Sequence, residues 1–568
     1  MPSRPSELVY AEDERPPVLS AIALGFQHVA VICPYFVMVA LVIAAARLPH
    51  EDGRSAMGLA MIAVAILTVL QSLRLGPIGS GHLCPPVVSA IYLPSAISAA
   101  ATFGLPVVCG MAMFAGACEA VIGRMANSLR KFFPAVVSGV VIVAVGIELG
   151  KIGFGVAIEP FVKLEDQAGE KFATAVIVVA VTTGLAIWAK GQIRQLCVLT
   201  GVLTGYAISL LLQVFPPGTA RQLYESPFFA LPDPAFLSYD FEPTLMLPFA
   251  IAGLASGLRA VGVLTTCQQI NDADWHRPDM KRISAGVTAD GIGCAVGGAL
   301  GTPGMSASPS LVGLEKTTGV TSRSIAWVIA AWLVLLACLP QFSSLIINMP
   351  RPVMGAALFF NGSLMIVAGV QLIVSRPVTL RATVIVGFSL VTAISVMVFP
   401  EFYKGLPPWL HQITGTEITV TVVLAVGLYA LFRLGAWHYL DLRLGSDAQP
   451  ITPAAFDDFF VKQAAAWKIS SDDSTRIRAV VDLAIEHIAP AADGPLTILL
   501  GTDTFDLTVT ISYRGNLPVL QSIRPPAELV EEQSFVSGLS GYFSGVHADY
   551  IERFARKDEC EVKLVFRL

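Results

Sequence analysis

The side chains best suited to handle a ligand lie inside long apolar runs, and they are hydrogen-bonding and titrating groups rather than a catalytic set. Gln27 and His28 are adjacent in GFQHVAVICPYFV. A neutral imidazole both donates and accepts, and it titrates near neutrality. His28, with Gln27 beside it, is therefore placed either to read the polar edge of a small molecule or to bond a neighbouring carbonyl. In GPIGSGHLCPPVVS, His82 follows Ser80 and Gly81, and the glycines either bare backbone N–H groups for a ligand or only break a helix. Ser306, Ser308 and Ser310 (MSASPS) recur at every second residue, which aligns their hydroxyls only if the stretch is extended, as Pro303 and Pro309 favour. Ser256 and Arg259 are three apart, on one face of a helix. A cation in an apolar run is costly and faces a partner or a cavity, so Arg259 either pairs with an acid such as Asp290 or attracts an anion. Glu119 and Asp290 are acids within apolar runs, suited to proton or ion coupling or equally to hydrogen bonding between helices. Glu315 and Lys316 close another run, where solvation would explain them. No complete P-loop, GxSxG or HExxH occurs, so no catalytic residue, metal site or cofactor is expected.

The elements that must position these residues are membrane spans. Only 14% of the 568 residues are charged and 54% are hydrophobic, whereas soluble domains carry about a quarter charged residues. A net charge of −5 without a basic excess excludes a nucleic-acid partner. Eight of the nine cysteines lie in apolar stretches without CxxC or His spacing, which reads as packing. Residues 1–17 carry both signs and lack the basic start and apolar run of a signal peptide, so a cytoplasmic tail is expected. Twelve runs of spanning length follow, near 18–46, 56–74, 95–122, 134–150, 172–190, 195–215, 244–265, 284–300, 322–347, 352–374, 379–399 and 416–435. Two more segments, 77–94 and 302–318, are apolar but interrupted by Gly, Pro, Ser and His. Counting both as spans gathers Arg124, Arg130, Lys131, Lys190, Arg194, Arg277, Lys281, Arg282, Arg376 and Arg381 on one side, the side of both termini and hence the cytoplasmic face of a bacterial inner membrane. The interrupted segments are then third in each half of seven. That pattern predicts an α-helical membrane protein of fourteen transmembrane segments in two inverted seven-span repeats. Its site lies mid-bilayer, where broken backbone is tolerated because it lines a cavity.

After a linker at 437–451, charges return, and residues 452–568 read as a small soluble cytoplasmic α/β domain. The expected elements are helices near 453–466 and 474–488, strands at 496–501 and 505–513, a helix near 546–556 and a terminal strand. This tail resembles the histidine-kinase-like ATPase fold, but Asp482, Glu486 and Tyr513-Arg514-Gly515 stand where nucleotide-holding residues belong. A regulatory or dimerising module is expected.

Across 20–436 the chain resembles the nucleobase–ascorbate transporter family, the nucleobase:cation symporters. The resemblance rests on the Gln27-His28 pair, AGACEAVIGR with Glu119, FFPAVVSGVVIVAVGIEL, and TADGIGCAVGGALGTPG with Asp290 and Gly291. It continues in GLEKTTGVTSR, with Gly313, Thr318, Gly319, Ser322 and Arg323, and in MPRPVMGAALFF. The family implies a core domain that binds a purine or pyrimidine base and moves past a gate domain like an elevator. It also implies proton or sodium coupling and a homodimer within membrane lipid. The substrate-binding set it implies here is Gln27, His28, Ser80, Gly81, His82, Ser256, Ser306, Ser308, Ser310 and Gly313. The charged or coupling set is Arg259, Asp290, Glu119, Glu315 and Thr318. Two positions depart from the pattern: Ser256 stands where the family has a glutamate, and Ser310-Leu311 where it has Glu/Gln-Asn. A serine can bond a base edge but cannot release a proton at working pH. The alternatives are an anion carrier resembling sulfate permeases, which Arg259 and two half-helix N-termini would suit, and a transport-inactive membrane sensor.

Overall fold

The computed structural model describes residues 4–129, 135–216, 218–273, 275, 278–374, 378–407, 410, 413–433, 438–444, 453–467, 469, 471–489, 492–502, 506–515, 550–556 and 559–567. The chain divides into a large unit, Pro2–Ala273 with Pro278–Leu428, and a C-terminal unit, Tyr429–Leu568. The first half of the large unit runs α1 (Val18–Ile32), a 3-10 turn (Cys33–Phe36), α2 (Val37–Ala45), α3 (His50–Ser72), β1 (Pro86–Val88), α4 (Leu93–Phe103) and α5 (Leu105–Leu129). It continues through α6 (Ala135–Val162), α7 (Ala168–Trp188), α8 (Gly191–Gln195), α9 (Cys197–Leu211) and α10 (Thr219–Glu225). The second half runs α11 (Met246–Asn271), α12 (Met280–Ala299), β2 (Met305–Ala307), α13 (Pro309–Thr318), α14 (Ile325–Ala337), α15 (Pro340–Ile347), α16 (Arg351–Ile373), α17 (Leu380–Val398), α18 (Pro400–Lys404) and α19 (Glu417–Arg433).

Among the described residues, eight helical stretches are long and apolar enough to cross a membrane, with α1 and α2 taken together as one. The count is nine if α14 and α15, bent by 82° at the break before Pro340, form a single span. Leu93–Phe103, Cys197–Leu211 and Glu417–Phe432 are apolar but shorter. The chain is thus a multi-pass α-helical membrane protein. One expected span is divided differently. The run at 95–122 is two helices, because Gly104 adopts φ +86° and ends α4 by donating its N–H to Ala100 O. Apolarity continues through that break, so hydropathy does not register it.

Both interrupted segments become extended at their centres. Pro85 before β1, Pro86 opening it, and Pro309 after β2 fix φ and bias the residue ahead of each away from helix. The strands pair antiparallel, Pro86 with Ala307, Val87 with Ser306 and Val88 with Met305, and all six residues are buried. Each strand leads into a short helix, α4 or α13, with proline in its first turn. The loose backbone around them is satisfied internally: Gly79 N–H donates to Ala285 O, Gly81 N–H to Gln71 O and Ser89 N–H to Gly304 O.

Two helix pairs brace this centre by glycine contact. On α6, Gly139, Gly146 and Gly153 recur every seventh residue, and on α16 so do Gly355, Gly362 and Gly369. A Cβ on Gly146 would lie 2.7 Å from Ile366 N, and one on Gly362 would lie 2.6 Å from Gly150 N. Helices α5 and α12 meet similarly, a Cβ on Gly291 falling 2.3 Å from Ala120 N. In lipid, where helices gain little from burial, such backbone approach supplies the packing that holds them together.

The C-terminal unit has an antiparallel five-stranded sheet in the order β3-β4-β5-β7-β6, built from β3 (His438–Leu444), β4 (Leu496–Thr502), β5 (Asp506–Arg514), β6 (Tyr550–Arg556) and β7 (Glu559–Arg567). Helices α20 (Pro453–Ala466) and α21 (Ser471–Ile488) pack on it through Phe456, Phe460, Ile477, Val481 and Ile485 against Ile498, Val509, Ile511, Val562 and Leu564. Two expectations are corrected here. Residues 438–444, read as linker, form strand β3, whose partner Leu496–Thr502 is remote in sequence. Residues 550–556, read as helix, form strand β6, held by pairing with β7 rather than by local periodicity. The remainder of the expected linker, and residues 546–549, lie outside the described residues.

Candidate functional site

The strand crossing is tied to the helices behind it by two carboxyl groups. Tyr92, just past β1, is fully buried and its hydroxyl donates to Glu119 Oε2 on α5 at 2.9 Å. Ala307 N–H in β2 donates to Asp290 Oδ2 on α12 at 3.2 Å. Glu119 and Asp290 are themselves neighbours, and Ser256 of α11 stands beside Glu119 and Tyr92. Ser306 lies beside Asp290. Five polar residues thus meet at the strand pair, four on α5, α11, α12 and β2 and Tyr92 at the N-cap position of α4. Gly304, at φ +135°, lets the second strand lie against the Tyr92 ring, where a Cβ would come within 2.4 Å of its carbons.

A cavity of about 400 Å³, within the range of small-molecule sites, is lined by neighbours of the cluster in sequence, Ile91, Ala255 and Pro309 among them, but by none of its five polar residues. Its walls are α11 and α13 on one side, with Arg259, Pro309, Gly313 and Lys316, and α6 and α16 on the other, with Val141, Val145, Met365 and Leu372. Arg259 forms no ion pair with Asp290: that carboxyl and Glu119 act on it only across space, as does Tyr35. Of the two readings of Arg259, the ion pair with Asp290 is not formed, and the residue lines the cavity.

The other singled-out residues divide by place. His28 is fully buried on α1 and its Nδ1 bonds Leu24 O at 2.8 Å, so Nδ1 carries the proton and Nε2, which has no partner, is left as an acceptor. Gln27 is half-buried, with its amide nitrogen unpartnered. Ser308 occupies the N-cap position of α13 without capping it, and its buried hydroxyl has no partner. Ser310 is exposed and bonds Tyr35 Oη at 2.9 Å. Ser306 and Ser308 lie two apart in extended backbone, but helix begins at Pro309 and takes Ser310 out of their register. Glu315, expected in solvent, is buried, whereas Lys316 is exposed. Thr318 bonds back to Leu314 O.

Ser80, Gly81 and His82 sit at a different junction, which the sequence did not reveal. Ser80 Oγ donates to Gln71 O, and its carbonyl accepts from Arg282 Nε at 3.0 Å. Glu12 of the N-terminal segment is buried against Arg74, at 2.5 Å, and Arg282, with His82 Nδ1 3.7 Å from its other oxygen. Backbone bonds from Val9 and Tyr10 N–H to Gly319 O, and from Thr321 N–H to Tyr10 O, fasten the same segment beyond α13. Residues 9–14 are therefore a strap across α3, α12 and α13, not a loose tail. Charges in a polar terminal stretch carry no periodicity, so neither Glu12 nor its partners could be picked out from composition. Tyr35 and Tyr92 were equally silent, being aromatics in apolar runs.

The sequence profile of the permease family matches residues 19–402, a stretch that holds both strands, the cavity and the glycine-paired helices. Among curated relatives, the xanthine permease XanP of Escherichia coli (strain K12) is 26% identical over 445 residues, 75% of this chain and 95% of XanP. The uric acid transporter UacT of the same organism is 25% identical over 438 residues, 74% of this chain and 87% of UacT. Among solved structures, the murine Slc26a9 anion transporter in its inward-facing state aligns with a TM-score of 0.50 at 12% identity, over 78% of this chain and 73% of that one, a likeness of fold.

Proposed function

This chain belongs to the permease family, the nucleobase–ascorbate transporters, and on that premise we propose that it is a secondary carrier of an oxidised purine base of the xanthine and uric acid class. The observation that carries the reading is the crossing of β1 and β2, each continued by a half-helix, beside a cavity of about 400 Å³. Supporting this reading, the cavity lies between α11 and α13, which belong to the strand-bearing core, and the α6–α16 pair, which would be the gate. In the elevator mechanism the core carries the base past that pair. The neighbouring Glu119 and Asp290 are the groups proposed to carry a coupling proton, since two adjoining carboxyls can share one proton that leaves when their surroundings change. Ser256, where the family has an acid, would bond solute but not titrate.

The fourteen-span arrangement belongs to the same proposal. The order strand then half-helix recurs at the third place of each half, and the basic residues fall on one side only if both are counted. Both termini then lie in the cytoplasm of a bacterial cell. Fluorescent and phosphatase fusions at each end test this, and an external signal from either end rules the count out.

The function is tested by uptake of labelled xanthine and urate into cells stripped of their own purine permeases. Accumulation abolished by a protonophore is the expected outcome. Accumulation of sulfate instead would favour the anion-carrier reading, and accumulation of nothing by a correctly inserted chain would favour the sensor.

A further inference from the structure

Arg259 is the most unusual residue of the cavity. It projects from a helix that is otherwise uncharged, and it makes no hydrogen bond or ion pair with any described residue. An intramembrane guanidinium whose nearest carboxyls, Asp290 and Glu119, act on it only across space is costly, and such groups are retained where they face a pathway or a ligand. The cavity holds a second cation, Lys316, and no carboxylate among its lining residues. Pro309, at the start of the ten-residue helix α13, also lines it, so the positive end of that helix points the same way. Close by, the buried Ser308 hydroxyl is without a partner. Opposite these groups the wall is mostly apolar, with Val141, Val145 and Met365 offering contact and Ser138 the one hydroxyl on α6. A neutral base would fill the volume yet leave the guanidinium unpaired. A planar anion would fill it and answer the charge, because the fork of Arg matches two adjacent acceptors on one edge.

We infer that the form carried is an anion: a fused-ring oxopurine that has lost a ring proton, its charged edge on Arg259 and its faces against the α6–α16 wall. The inference rests on the carrier reading above and adds a charge to it. The charge has a consequence for the whole cycle. A monoanion moving with one proton transfers no net charge, whereas a neutral base moving with one proton transfers one positive charge per turnover.

Urate, a monoanion at pH 7.5, and hypoxanthine, a neutral bicycle of similar shape, are the probes. With the full-length chain in liposomes, urate is expected to bind and enter at least about tenfold better than hypoxanthine. R259Q should lose about tenfold or more of the urate affinity while hypoxanthine changes within about twofold, and R259K should fall between. Proton-driven urate entry should not respond to a potassium–valinomycin potential, which keeps the inference testable on the unmodified chain if R259Q does not fold. Equal entry of the two bases, full urate affinity in R259Q, or urate entry driven by an inside-negative potential with one proton counted per urate overturns the anion while leaving a base carrier standing. Failure of both bases to enter, with or without sulfate entering in their place, overturns the anion and the carrier together.

Discussion

Each crossing strand is held by one carboxyl group, but the two ties differ in kind, and the difference sets what substitution will do. Asp290 accepts from a backbone N–H, which has no other partner to turn to. D290N keeps an acceptor oxygen and loses the proton, so it should insert, fold and bind urate, yet fail to accumulate it against a gradient. D290A strands the buried Ala307 N–H, at a cost of about 1–3 kcal/mol, and should lower the melting temperature of the purified chain as well. If D290N concentrates substrate like the parent, Asp290 is a structural clamp and the coupling proposal fails. Glu119 accepts from the Tyr92 hydroxyl, so Y92F leaves its buried Oε2 without a donor and should cost about 1–3 kcal/mol. At this scale the acids were legible, because a carboxyl in an apolar run is conspicuous. Their tyrosine and backbone partners were not, because nothing local marks a partner in a distant segment: Tyr35 and Ser310 are 275 residues apart.

Among elements, the glycine-paired helices and the N-terminal strap make separate predictions. G146L drives a side chain into the backbone of α16, so about 3 kcal/mol or more should be lost. G155L, on the same helix but exposed and with nothing within 4 Å of a Cβ, is the control expected to leave melting unchanged. Equal loss in both would mean that added bulk anywhere on α6, and not close approach to α16, is what costs, since helix propensity alone favours leucine over glycine. For the strap, E12Q removes the carboxylate shared by Arg74 and Arg282. Arg74 is 46% exposed, so the cost should be about 1–2 kcal/mol rather than that of a sealed pair. Hydrogen exchange at Val9 and Tyr10 should rise accordingly. Protection as strong as in the parent would show that the backbone bonds alone hold the strap. The broken spans were readable because Pro and Gly punctuate them. The break at Gly104 was not, since the apolar run crosses it, and neither were β3 and β6, whose pairing partners decide their conformation.

For the molecule as a whole, the C-terminal unit should be separable from transport. The family match ends at residue 402, and β3 begins at His438. A chain stopped after residue 436 should therefore take up base like the full-length protein, and lost uptake in a correctly inserted truncation would give the unit a part in the cycle. The unit's own stability should depend on Asp482. Burial on α21, with Asp457 nearby, pushes its carboxyl up to about 6, against the partial relief of Arg478, which forks onto Asp457 at 2.5 and 2.6 Å. In the folded unit the group holds a proton that the unfolded chain has already released, so its contribution is complete below about pH 4 and lost as pH rises through about 6. D482N should stabilise the unit at pH 8 by about 1 kcal/mol after allowing for solvent exposure, read as a higher melting point, and change nothing near pH 4. A variant no more stable at pH 8 would show that the aspartate is adequately hydrated. The β1–β2 ribbon also bears on biogenesis. Its strands belong to opposite halves of the chain, with roughly 200 residues between Val88 and Met305. At about 5–20 residues per second of synthesis, the first strand waits on the order of ten seconds or more for its mate. Until then its bare amides need a surrogate, water in the insertion channel or a membrane chaperone, so the newborn first half should be the form most exposed to quality-control proteolysis.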